Sequence, residues 1–183
     1  VILAAGKSKR FDKKIAKQFY NYKNKELIDH SIEKSLNSNL FKKIIVVTDN
    51  SNHFKKNRYS KSITLIKGGK ERSDSSLLAL KYLKKFKPKN VLIHDAARPD
   101  FSIKLLKNLV KQLKKNKAVV PFVYPKDTIK YKIKNEFFNL SRHKAFLTQT
   151  PQAFRYKDLY ELSVKQKNII TDEATLFINN NYK

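Results

Sequence analysis

The chain has 183 residues, 40% of them hydrophobic, enough to bury one good core. Cys is absent, which excludes disulfides, thiolate metal sites and a Cys nucleophile and suits a reducing cytoplasm, the expected location. Net charge is +26, but the lysines spread over the whole length and Arg is scarce, so no specific nucleic-acid partner is expected; no apolar run is long enough to cross a bilayer.

Val1–Leu3 is a short apolar run of the kind that forms a buried strand, and Ala4-Ala5-Gly6 follows with almost no side chain. Lys7, Lys9, Arg10, Lys13, Lys14 and Lys17 come straight after. Small residues let backbone N–H groups approach an anion, and flexible cations can wrap it. The stretch reads as a loop closing over phosphates, with a surface turn in a Lys-rich protein as the plainer alternative. It is not a Walker A loop, because Val1 stands where that loop needs its first Gly. Nor is it a dinucleotide loop, because Ser8 replaces the second Gly.

Strand-like and helical patterns then alternate. Residues 26–36 predict a helix with Ile28, Ile32 and Leu36 on one face. Residues 43–48 and 62–66 predict β-branched strands, the second ended by Gly68-Gly69. Residues 71–85 predict a helix with Leu77, Leu80 and Leu83 inward. A strand over 90–94, an amphipathic helix over 102–113 and a strand over 118–123, crossed by Pro121, follow. The rhythm implies an α/β fold: a Rossmann-like, mostly parallel sheet with helices on both faces. After Pro125, residues 127–134 and 136–140 alternate apolar and polar around a Lys-Asn turn. They predict a protruding β-hairpin arm, about 125–145, which is marginal alone and needs a partner such as its own copy. Helices over 157–165 and 171–179 complete the chain. Residues 1–183 read as one domain, truncated at both ends because the chain opens on Val1 and stops without a closing strand.

Ligands of such sheets sit outside the carboxyl ends of the strands. Those ends are residues 3–10, 68–75, 94–99 and 127–128, which hold most of the small, acidic and Arg residues in the lysine background. Gly68 to Ser75 joins a strand to a helix and could approach a base or ribose, or simply cap the helix. Asp95 ends a buried strand, where it could hold a substrate hydroxyl or a metal-bound water. Arg98 could grip a phosphate, or pair internally with Asp95. His94 reads as structural. Arg142, the 148–152 stretch TQTPQ and the 171–174 stretch TDEA offer groups suited to a polyol, although Thr171 could merely cap a helix.

The motifs LAAGKSKR, AKQ, GGKERSDS, HDAARP, Asp127-Thr128, QTPQAF and TDEA resemble, in order and spacing, the 2-C-methyl-D-erythritol 4-phosphate cytidylyltransferase family. The resemblance covers essentially the whole chain. It implies transfer of a cytidylyl group from CTP to the polyol phosphate, with release of pyrophosphate and with Mg²⁺ held mainly through the CTP phosphates; no protein metal ligand is assigned. By position, Ala4, Ala5 and Gly6 would contact the nucleotide, and Gly69 and Ser75 the cytosine. Arg10 and Lys17 would be catalytic, carrying charge that develops on the α-phosphate. Asp95 would serve CTP and the polyol phosphate, the latter together with Arg98, Thr128, Arg142, Thr150 and Thr171. Arg142 is similar to a residue supplied across a homodimer formed through the arm.

The sequence departs from that family at Ser8, at Ile15-Ala16 before Lys17-Gln18, and at Lys70, where an acidic residue is common. A family lysine on a strand beyond Lys183 is not in this sequence, and some relatives carry a cyclodiphosphate synthase domain afterwards. Two alternatives stand beside the main expectation. One is the sibling ribitol 5-phosphate cytidylyltransferase. The other is a catalytically weakened basic module that binds nucleotide or nucleic acid.

Overall fold

Ile45, Val46 and Val47 are all buried, and their side chains alternate between two cores, which is what a strand covered on both faces requires. The computed structural model describes residues 1–6, 15–54 and 59–180. Its strands are β1 (Ile2–Leu3), β2 (Asn21–Tyr22), β3 (Lys25–Glu26), β4 (Ile45–Val47), β5 (Thr64–Ile66), β6 (Asn90–Asp95), β7 (Ala118–Val119), β8 (Phe122–Val123), β9 (Ile129–Ile133), β10 (Glu136–Leu140), β11 (Leu147–Thr148) and β12 (Gln152–Arg155). Its α-helices are α1 (Leu27–Asn37), α2 (Arg72–Leu83), α3 (Ile103–Gln112), α4 (Tyr156–Lys165) and α5 (Ala174–Asn179).

The main sheet has the order β5-β4-β1-β6-β12-β7. β5, β4, β1 and β6 pair in parallel, and β12 runs antiparallel to both its neighbours. Leu3 lies opposite Val47 and Asp95, and Val47 lies opposite Ile66, so four carboxyl ends finish level. The chain moves outward from β1 through β4 to β5 and then crosses to β6 on the other side. The reversal leaves a crevice at the end of β1.

Helices cover both faces. On one, Leu80 and Leu83 of α2, Leu159 of α4 and Leu176 of α5 pack on Ile45, Val47, Ile93 and Phe154. On the other, Ile28 and Ile32 of α1 meet Ile2 and Val46, while Leu106 and Leu109 of α3 meet Leu92 and Ala153. Ser102 caps α3, its hydroxyl accepting from the Leu105 N–H at 3.1 Å.

Three local expectations change. In α2 the buried stripe is Ser75, Ser76, Ala79, Leu80 and Leu83, so Ala79 rather than Leu77 faces the sheet; the small residues let the helix pack closely against the strands. The last helix begins at Ala174 instead of Thr171, because Asp172 Oδ1 accepts from the Thr175 N–H at 3.1 Å and turns the chain there. The strand expected over 118–123 divides at Pro121: β7 stays in the main sheet and β8 pairs with β11. β9 and β10 pair as a hairpin, with Ile133 opposite Glu136 and Lys134 at a positive φ of 52° in the turn.

Candidate functional site

The level strand ends leave a cavity of about 830 Å³. Its wall includes Ala5, Gly6, Gly69, Ser75 and Asp95, so five of the expected site residues converge from three separate strand ends. Close packing, not backbone chirality, accounts for the paired glycines, since no Gly has positive φ. A Cβ on Gly68 would overlap the Ala5 methyl, and one on Gly69 would overlap Asp74. The Gly69 N–H donates to Ser75 Oγ at 3.0 Å and the Gly68 N–H to Asp49 Oδ1 at 3.2 Å, which ties the glycine turn to α2 and to the end of β4. A Cβ on Gly6, by contrast, would meet nothing within 4 Å among the described residues.

The first loop is pinned from below by Gln18, which is 5% exposed and stands in a short turn over Lys17–Phe19. Its Nε2 donates to the Ala4 carbonyl at 2.7 Å and the Gly6 carbonyl at 3.0 Å. Ala4 itself faces the core beside Ile28 and Ile32 and does not line the cavity. Arg10 lies outside the described residues. Lys17 adjoins Gln18 in the turn and is exposed, and it is not among the residues of the cavity wall.

Asp95 sits between two guanidinium groups. Its Oδ1 accepts from Arg72 Nε at 3.0 Å, and its Oδ2 lies 3.3 Å from Arg98 Nε. The internal Asp95–Arg98 pair is thus present, and Arg98 also donates to Gln149 Oε1 at 2.9 Å. Arg72 continues to the buried Glu173. Thr150 is not exposed to the cavity. Its hydroxyl lies 3.0 Å from His94 Nδ1 and accepts from the Asp95 N–H at 3.3 Å, so it supports the end of β6 from behind. His94 is 3% exposed and also meets Ser31 Oγ at 3.1 Å. Burial, reinforced by nearby cations including Arg98 and Lys34, lowers its pKa to about 3 and leaves the ring neutral.

The remaining expected residues stand apart from this cavity. Thr171 is exposed beside Asp172, and Thr128 is exposed at the root of the arm. Arg142 braces the same root, donating from Nη1 to the Lys126 carbonyl at 2.8 Å. Gln18, Asp49 and Arg72 also line the cavity and Glu173 backs Arg72, residues that the sequence reading did not assign. Two signals for them were present: Arg72 is a rare Arg among lysines inside GGKERSDS, and Glu173 is the second of two adjacent acidic residues in TDEA.

Comparison with known proteins shows the family of the chain. The family model for 2-C-methyl-D-erythritol 4-phosphate cytidylyltransferase (IspD) matches residues 1–180. The chain belongs to this family. It is 35% identical over 187 residues to the family's enzyme in Clostridium beijerinckii, a match that covers 96% of this chain and 82% of that one. It is 47% identical over 179 residues to the bifunctional enzyme IspD/IspF of Pelagibacter ubique, but spans only 48% of that protein. The solved bifunctional IspDF from Campylobacter jejuni superposes on all of this chain with a TM-score of 0.85 at 32% identity; 47% of that chain is covered. The chain therefore spans about half the length of its bifunctional relatives, and most of the single-function one.

Proposed function

We propose that the chain transfers the cytidylyl group of CTP to 2-C-methyl-D-erythritol 4-phosphate, releasing pyrophosphate. The observation that carries this reading is the convergence of Gly6, Gly69, Ser75 and Asp95 on one cavity at the end of β1. The open space at Gly6, where a Cβ would meet no described atom, suits the close approach of a nucleotide, while the Gly68-Gly69 turn packed on Ala5 and Asp74 forms another part of the wall. Lys67 and Lys70 add positive charge to the wall.

Such a transfer needs no nucleophile from the protein, because the acceptor phosphate attacks. Catalysis then rests on alignment and on stabilising charge at the α-phosphorus. Lys17 and Arg10 are the proposed source of that charge. The donor set fits a Mg²⁺ ion that arrives with the triphosphate. Among the described residues no three His, Cys, Asp or Glu side chains cluster, and both Asp95 oxygens already meet arginines. Bound there, Mg²⁺ would neutralise phosphate charge.

Thr128 begins the hairpin and Arg142, which follows it, is bonded to the Lys126 carbonyl; neither lines its own chain's cavity. We infer that in a homodimer they complete the acceptor side of the neighbouring subunit. The arm and its root carry the apolar surface such a dimer needs: Phe122, Tyr124 and Phe146 form an aromatic cluster, each about half exposed, and Phe137 is 70% exposed. No helix among the described residues is long and apolar enough to cross a membrane.

The test is pyrophosphate release by the purified protein. Release is expected only when CTP, methylerythritol phosphate and Mg²⁺ are all present. Equal turnover with ribitol 5-phosphate would transfer the assignment to the sibling activity, and salt-dependent RNA binding without CTP binding would overturn it.

A further inference from the structure

Between the cavity and the loop that opens α5, one guanidinium holds two carboxylates. Arg72 Nε donates to Asp95 Oδ1 at 3.0 Å, and Arg72 Nη1 donates to both oxygens of Glu173 at 2.9 and 3.0 Å. Glu173 is 1% exposed, whereas Asp95 is part of the cavity wall. Burial works against charge on Arg72, but Glu173 and then Asp95 outweigh it and raise the guanidinium pKa.

The residue before Glu173 is held as firmly. Asp172 Oδ2 accepts from Gln152 Nε2 at 3.0 Å and Thr148 Oγ1 at 3.1 Å, while Oδ1 accepts from the Thr175 hydroxyl at 2.9 Å. Burial opposes the Asp172 charge, yet these hydrogen bonds prevail and lower its pKa. On the other side of Asp95, Arg98 reaches Gln149, in the same 148–152 stretch. The polar contacts thus form a closed circuit through β6, α2, the start of α5 and the segment before β12.

Stability alone does not explain this circuit. A buried ion pair costs desolvation that apolar packing of the same shape avoids. Arg72 also keeps Nη2 buried with no hydrogen-bond partner among the described residues, a further cost. What the pair does supply is a fixed orientation, because the planar guanidinium fork sets the angle between its two carboxylates.

We propose that Arg72, held by Glu173, is a positioning residue that aims the Asp95 carboxylate at the cavity and couples the 171–175 segment to its occupant. The inference rests on the functional reading above, with Asp95 serving the nucleotide, and on Thr171 serving the acceptor, as the resemblance of the sequence implies. Nucleotide bound against Asp95 then tightens, through Arg72 and Glu173, the segment that meets the acceptor.

The experiment uses the purified protein with Arg72→Lys and Glu173→Gln. Lysine keeps the charge but cannot bridge both carboxylates. Calorimetry with CTP is expected to show weaker binding, because Asp95 loses its aim, and KM for the acceptor measured at saturating CTP is expected to rise roughly tenfold or more. Hydrogen exchange should slow at residues 172–176 when CTP is added to the unaltered protein, and not in Arg72→Lys. An unchanged acceptor KM, with any loss of rate matching the unfolded fraction, would reduce the pair to a structural role and overturn the proposal. So would the absence of any CTP response at 172–176 in the unaltered protein. If that response occurs but neither polyol phosphate is turned over, the functional reading fails and the coupling stands.

Discussion

Gln18 and Gly6 are joined across 12 residues of sequence, the Gln18 amide donating to the Gly6 carbonyl at 3.0 Å from a site that is 5% exposed. The same amide holds the Ala4 carbonyl, so one side chain sets the shape of the first loop. Gln18→Leu keeps the bulk and strands both carbonyls, at a cost of about 1–3 kcal/mol each at most. The expected outcome is a lower denaturation midpoint and CTP affinity reduced roughly tenfold. Calorimetry that finds CTP binding untouched would show that the loop does not depend on this anchor.

Two glycines of the site should respond oppositely to the same substitution. Gly6→Ala adds a methyl where no described atom lies within 4 Å, so the fold should be unaffected while CTP binding weakens. Gly68→Ala drives a methyl into Ala5 and should lower the melting temperature by several degrees. Thermal unfolding measured beside CTP titration separates the two effects. Full CTP affinity in Gly6→Ala would place the nucleotide elsewhere.

Thr150 is expected to act through His94 and Asp95. Thr150→Val is isosteric but leaves the Asp95 N–H and His94 Nδ1 without their hydroxyl partner, and should cost about 1–3 kcal/mol in chemical denaturation. Thr150→Ser should retain most of that stability.

His94 also sets an acid limit. The ring stays neutral in the fold down to about pH 3, whereas in the unfolded chain it protonates near its ordinary value of 6.5. The unfolded chain therefore binds more protons at this site within that window, and the contribution of His94 to stability falls as pH drops from 6.5 toward 3 and is level above it. The slope approaches roughly 1.4 kcal/mol per pH unit. Denaturation curves across this range should flatten in His94→Gln relative to the unaltered protein, and an unchanged slope would refute this account.

Arg142 provides the test of a site shared between subunits. Arg142→Ala and Arg10→Ala are each expected to lose turnover by orders of magnitude. Mixed and re-equilibrated, they should regain part of it, because a hybrid dimer keeps one intact cavity. Activity that stays lost in the mixture would confine the site to one chain.

Much of the scaffold was legible. Apolar runs at 43–48 and 90–94 and amphipathic stretches at 26–36 and 102–113 carry their own periodicity, so the strands β4 and β6 and the helices α1 and α3 appear close to where residue patterns place them. β12 was not legible. Gln152-Ala153-Phe154-Arg155 has no alternation to announce a strand, and its place is made by the open edges of β6 and β7. The same holds for β2 and β3, joined by a turn with both Lys23 and Asn24 at positive φ.

At the cavity, the sequence by itself determined the character of the strand ends: small residues at Ala5, Gly6 and Gly69 and an acidic residue at Asp95, each at the end of an apolar run. Those features depend on neighbours a few positions away. Only the tertiary structure decided the partners of each side chain. It turned Thr150 inward to His94, put Gln18 beneath the first loop, and brought Arg72 to Glu173 across 101 positions. Such pairings follow from helices docking on a common sheet, where the surroundings of a polar group are set by packing between distant segments rather than by local propensity.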